Sequence, residues 1–193
     1  SGAYNGGLVG ANRGSLSNVY STGSVTGALT NTANNGGLVG LNAGGTIVNA
    51  YSVGKVTGSA SGGLIGRHSG GSVTSGYYNM TVNPGLSGWG NDVSTGDVGS
   101  GAAVGLSSAQ MKQTSSFQGF NFSASPGATG NAWVMVNADS SGINNGSSGT
   151  LPMLASEYST TITNAHQLQL VAMDRNATYT LGRDIVAGAT AGT

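Results

Sequence analysis

Aliphatic residues stand singly along most of the first half of this chain, and they return at a nearly fixed distance. Leu8, Leu16 and Val25 are set among Gly, Ser, Thr and Asn; Leu38, Ile47 and Val56 follow at similar spacing, and Leu64, Val73 and Val82 follow again. The first residue of each triplet lies in the same short phrase, GGLVG at Gly6 to Gly10 and Gly36 to Gly40, then GGLIG at Gly62 to Gly66, so the step is 30 residues and then 26. Steps of this size belong to stacked repeat architectures. Each aliphatic cluster is bounded by Gly or Asn, which turn the chain at low cost, and this predicts three short strands per repeat. One repeat alone buries almost nothing. Stacking in register puts Leu8 over Leu38 over Leu64 and pairs every strand with its own copies. The expected fold is therefore all-β, a right-handed parallel β-helix with one or two short helical excursions.

The polar positions keep the same register. Tyr20, Tyr51 and Tyr77 fall at matching places, as do Asn18 and Asn49 beside them. The tyrosines form either an outward stripe suited to stacking on sugars or an internal ladder, and the habit of solenoids of stacking identical residues favours the ladder. The asparagines predict a hydrogen-bonded ladder along the axis. Trp89 and Trp133, the latter within WVMV, read as core.

This patterning divides the chain into a repeat array at 1–84 with three copies, degenerate coils closing that block at 85–158, and the start of a further block at 159–193. Ser107-Ser108-Ala109-Gln110 has the form of a capping box for a helical turn through Lys112. Asn164 with Gln167 opens a second short helix that would place Leu168, Val171 and Ala172 on one face. Strands are expected at 132–136 and 179–181. With coils continuing through the second half, about seven of them would make a rod roughly 30 to 35 Å long. ALTNTANN before Gly36 and NADSSGINNGSSG from Asn137 are the expected protrusions.

Composition narrows the chemistry. Charged residues are 6% of the 193, six basic against six acidic, where about 25% is usual. No field is present to draw nucleic acid or an anionic membrane, and no apolar run approaches the roughly 18 residues of a membrane span. Cysteine is absent, which removes disulfides, thiolate zinc sites and thiol nucleophiles together. His68 follows Arg67 where the other copies carry Ala11-Asn12 and Leu41-Asn42, and it reads as an exposed corner residue; His166 sits in the first turn of the second short helix. With two histidines and no GxSxG or HExxH motif, the expectation is no enzyme and no catalytic residue. Asp92 and Asp97 form the closest acidic pair, but two side chains fall short of the six or so oxygens that calcium takes, so no metal and no cofactor is expected. Thr26 and Thr57 align, but Asn83 breaks the flat threonine array an ice-binding solenoid needs. Asn79, Asn121, Asn145 and Asn176 lie in Asn-x-Ser/Thr sequons and are candidate glycosylation sites, no more numerous than chance gives in so Asn- and Ser-rich a chain. Both ends fall inside motifs, so the chain reads as a piece of a longer one, and a monomeric one.

The phrase GGLVG followed by YSTGSVTG, carried in three copies from Gly6 to Pro84, resembles the GLUG motif of very large secreted bacterial exoproteins similar to filamentous haemagglutinin. GLSSAQMKQTSSFQGFNF, AWVMV and LPMLASEY resemble the segment that closes a GLUG block, and ITNAHQLQLVAMDRNATYTLGRDI the opening of the next. In those proteins the opening runs on into an Asp-rich sequence; here Asp184 is followed by Ile185 and Val186. The resemblance implies a β-helix stalk of an adhesin, secreted or held at the bacterial cell surface. It implies an outer-membrane secretion transporter as partner in two-partner secretion, and host-surface or cell-surface glycans or proteins as targets. The alternatives are a carbohydrate-binding or carbohydrate-active β-helix and an accessory region of a surface protease.

Overall fold

A computed structural model describes residues 3–29, 33–92, 103–122, 125–126, 132–139, 141–144 and 149–190. They form two compact units, Ser1–Ser108 and Ala109–Thr193.

The first unit is a parallel β-solenoid of about three turns. Its first coil carries β1 (Tyr4–Gly6), β2 (Val9–Asn12), β3 (Ser15–Ser21) and β4 (Val25–Thr26). The second repeats them as β5 (Asn34–Gly36), β6 (Val39–Asn42), β7 (Thr46–Ser52) and β8 (Val56–Thr57). The third has β9 (Ala60–Gly62), β10 (Ile65–His68) and β11 (Ser72–Asn79), and a partial fourth turn adds β12 (Trp89–Asp92) and β13 (Ala103–Leu106). The sheets run β1-β5-β9, β12-β10-β6-β2, β13-β11-β7-β3 and β4-β8, with parallel pairing throughout. Register follows the sequence repeat, with Val9 on Val39 on Ile65 and Leu16 on Ile47 on Val73. The repeat holds four strands where three were expected, because the GG pair of each phrase bends the chain between its first and second strands.

Glycine at that bend is a steric requirement. A Cβ on Gly36 would fall on the Val39 carbonyl oxygen and the Gly66 nitrogen, and Gly6 and Gly62 meet the same obstacle in their own coils. Leucine follows the pair in each copy, and the Leu38 amide donates to the Leu64 carbonyl at 2.9 Å, as the Leu8 amide does to that of Leu38. A second device sits mid-strand. Asn18, Asn49 and Ser75 occupy equivalent places with φ of 52°, 52° and 54°, a left-handed conformation that Asn accepts more readily than most residues. The kink resets the strand's alternation, so Ile47 and Ala50, three residues apart, both join the core.

That core comprises Leu38, Val39, Ile47, Ala50, Leu64, Ile65, Val73 and Tyr78, with Val9, Leu16, Val19, Trp89 and Ala103 packed partly buried against it. Val25 and Val56 are buried in the small sheet beside it. Two expected core residues depart from the pattern. Leu8 is 47% exposed where Leu38 and Leu64 are 0%, since among the described residues no coil covers the outer side of the first. Val82 is 36% exposed. Its place beneath Val56 is taken by the Asn83 side chain, whose Oδ1 accepts from the Val56 amide at 2.8 Å while its Nδ2 donates to the Gly54 carbonyl at 3.0 Å. One amide side chain thus stands in for a strand.

The expected run of coils through the second half stops here. In the second unit β14 (Asn121–Phe122) pairs parallel with β15 (Ala132–Val134), but β15 pairs antiparallel with β16 (Met153–Leu154). β17 (Thr161–Ile162), α1 (Ala165–Leu170) and β18 (Thr180–Leu181) complete it, with β17 and β18 parallel. Phe120 stacks on fully buried Trp133 at 4.5 Å, with Phe117 at 5.0 Å from Phe120. A neighbouring cluster holds Val134, Met153, Ala155, Leu170 and Met173. Asn164 caps α1, its Oδ1 accepting from the Gln167 amide at 2.9 Å, and the Gln167 Oε1 reaches back to the Thr163 amide at 2.7 Å. Leu170 is the buried residue of the helix, whereas Leu168 is 48% exposed, so the apolar face is turned from the one expected. The turn at Gln110–Lys112 carries no side-chain cap; Ser108 instead bonds Asn79 of the third coil.

Candidate functional site

The solenoid's polar side chains are spent on one another. Asn5 donates to Asn35 Oδ1 at 2.8 Å, Asn12 to Asn42 Oδ1 at 2.9 Å, and Asn49 to Asn18 Oδ1 at 3.4 Å. Each bond crosses from one coil to the next between copies of the same residue. Tyr20 and Tyr51 stack at 5.2 Å with their planes 7° apart, and Tyr77 is paired with Tyr51 in register. Tyr51 and Tyr77 are buried but stand outside the aliphatic cluster, which takes Tyr78 instead. The Tyr78 hydroxyl donates to the Leu86 carbonyl at 2.8 Å, and burial pushes its pKa up.

His68 corrects the exposed-corner reading. It is 1% exposed and lies in register beneath Asn42, which lies beneath Asn12. The Asn42 amide nitrogen gives hydrogen bonds to the carbonyls of Gly45 and Gly70 at 2.9 and 3.1 Å and faces His68 Nδ1 at 3.3 Å. An amide NH2 only donates, so Nδ1 is the acceptor. The imidazole also stacks on Trp89 at 4.5 Å. His68 is therefore a variant rung of an asparagine ladder, and its alignment with Asn12 and Asn42 was the signal that could have found it.

The sequons separate likewise. Asn79 is buried, its Nδ2 donating to Ser108 Oγ at 2.9 Å and its Oδ1 accepting from the Thr81 amide at 3.0 Å, so the folded chain offers no amide there to a glycosyltransferase. Asn121 and Asn176 are exposed. Asn145 and Asp97 lie outside the described residues, and of Asp92 only the strand position, in register with His68, is described.

Ionisable groups gather instead in the second unit. His166 Nδ1 lies 3.3 Å from Glu157 Oε2, an ion pair when the imidazole is protonated. Both face a groove of about 720 Å³ that Arg183 and Asp184 also line. Arg183 is anchored by donating from Nε to the Thr163 carbonyl at 2.5 Å. Two acidic and two basic groups balance there, and among the described residues no three His, Cys, Asp or Glu side chains come together as a metal set. Nearby, the Tyr179 hydroxyl donates to the Asp174 carbonyl at 2.5 Å and lies 3.1 Å from that of Tyr158, which therefore donates to it. Burial, then the Tyr158 contact, drive the Tyr179 pKa well above the usual phenol value.

A second groove, of about 670 Å³, lies where the 137–149 loop leaves and rejoins the unit. The loop is held at its base: the Asn144 amide donates to the Met135 carbonyl and the Met135 amide to Asn144 Oδ1, each at 2.8 Å. Lys112 and Arg175 line this groove and no acidic residue does. No family model, no curated protein and no solved structure matches this chain.

Proposed function

We propose that this chain is a structural segment of a secreted bacterial adhesin of the GLUG type, its solenoid serving as stalk and its second unit carrying recognition surface. The observation that carries this reading is the stacking of like on like. Asn on Asn, Tyr on Tyr and Leu on Leu make each coil's chief partner the next coil, so length is gained simply by adding coils, with no metal or disulfide. Such a stack assembles progressively, which suits a chain exported unfolded through a dedicated outer-membrane transporter and folded at the cell surface. In this reading the chain performs no catalysis, and contact with host or neighbouring cells falls to irregular surface, since regular faces repeat and discriminate poorly.

The test is adhesion beside turnover. Beads coated with the chain are expected to be retained on cultured cells above beads coated with an unrelated β-protein, with no release of sugar or peptide fragments from polysaccharide and protein substrates. Retention equal to the control, or measurable turnover, would contradict the reading.

A further inference from the structure

We propose that the second groove of the Ala109–Thr193 unit is a binding site for a saccharide bearing a single carboxylate. Charge singles it out first. Lys112 and Arg175 are two of six basic residues in the chain, and they share one cleft without an acidic lining residue. Asp139, on the adjoining loop, is near enough to feel Arg175; hydrogen bonds from Ser141 hold its carboxyl below the usual range. Two cations and that one neighbouring anion leave a net single positive charge, which matches one carboxylate and does not match a densely sulfated or phosphorylated polyanion.

The walls supply the rest. Val136, Val171 and Ala172 give aliphatic surface and Leu168 stands half exposed at the edge, a complement to the C–H face of a pyranose. Asn137 and Gln169 bring amides that both donate and accept, as vicinal hydroxyls require. The volume lies within the range of about 300–1,000 Å³ typical of small-ligand sites. The site is also tied together before any ligand arrives: the Gly149 amide donates to the Lys112 carbonyl at 3.1 Å, and Asn137 Nδ2 to Ser141 Oγ at 3.1 Å. Backbone bonds thus join the lysine to the loop base, which lowers the ordering cost of binding.

This site would give the adhesin reading its ligand class and rests on that reading for its biological sense, but its test is separate. The full chain is titrated calorimetrically with cellobiouronic acid, its methyl ester and a triglutamate peptide. The acid is expected to bind, with the ester about tenfold weaker or worse, since a charge-assisted pair is lost. Lys112→Gln and Arg175→Gln should each weaken the acid about three- to tenfold with an unchanged circular dichroism spectrum, whereas Arg183→Gln, in the other groove, should leave it unchanged. No binding of the acid at millimolar concentration, equal binding of acid and ester, equal loss in Arg183→Gln, or tighter binding of the peptide would each overturn the proposal. Beads still retained on cells after such a failure would leave the adhesin reading standing.

Discussion

Leu38 and Trp133 are both fully buried, but they are held in different ways, and the difference separates the two units. Leu38 lies between its own copies, its neighbours above and below fixed by the repeat. Trp133 lies among Phe120, Phe117 and Phe122, residues that recur nowhere else in the chain. In the solenoid a residue's weight therefore depends on which coil it occupies; in the second unit it depends on the one place it fills. The most severe way to break this contrast is a charge at equivalent leucines. Leu38→Asp should cost about 5 kcal/mol or more, because it buries a carboxylate without a partner and both adjoining coils lose their contact. Leu8→Asp, at 47% exposure, should cost about 1 kcal/mol or less. Urea unfolding of the pair measures the gap, and similar midpoints would mean that coil position does not set the weight.

Trp133→Ala is expected to cost about 3–5 kcal/mol, the cavity left by a large aromatic in a core that cannot shift one copy over another to fill it. A loss under about 1 kcal/mol in the same unfolding measurement would show the aromatic cluster to be loosely packed.

The sequence made the solenoid legible because its information is repeated: GGLVG marks each bend, and residues 30 and 26 apart in sequence meet in space. What escaped were the places where a residue departs from its copies. His68 reads as a corner when taken alone, yet it is buried in the rung that Asn12 and Asn42 define. Val82 continues the aliphatic spacing, but a side chain one residue on makes the better cap, because Asn83 meets both an amide and a carbonyl that an edge strand would leave bare. The second unit was legible only locally. The Asn164 cap and the 132–134 strand follow from short-range chemistry, whereas the antiparallel turn of β16 and the two grooves depend on contacts between segments with no shared pattern.

Asn83→Ala sharpens the comparison at the solenoid's own irregular point. It leaves the Val56 amide and Gly54 carbonyl without their partner and should cost about 1–3 kcal/mol. Asn83→Gln should recover little, as the longer arm displaces both contacts. Equal stability of the alanine variant and the parent by urea titration would deny Asn83 its capping role.

The smallest effect is alkaline. Tyr78 in the solenoid and Tyr179 in the second unit both hold their protons more tightly folded than unfolded. Their contribution is whole below the unfolded phenol value of about 10 and declines as pH rises through the raised folded values. Melting temperature should be flat from about pH 8 to 9.5 and fall above about 10, with the fall shallower in Tyr179→Phe. An equal slope in parent and variant would remove Tyr179 from the account.

Duplicating a coil tests the central claim most directly. Register places Asn34 on Ala60, so residues 34–59 are one 26-residue turn, and a second copy inserted after Ser59 should stack as another turn. The account predicts a cooperative unfolding transition at a temperature no lower than the parent's, and a solenoid longer by about 4.8 Å in small-angle scattering. A lower or broadened transition, with the added residues unprotected in hydrogen exchange, would contradict it.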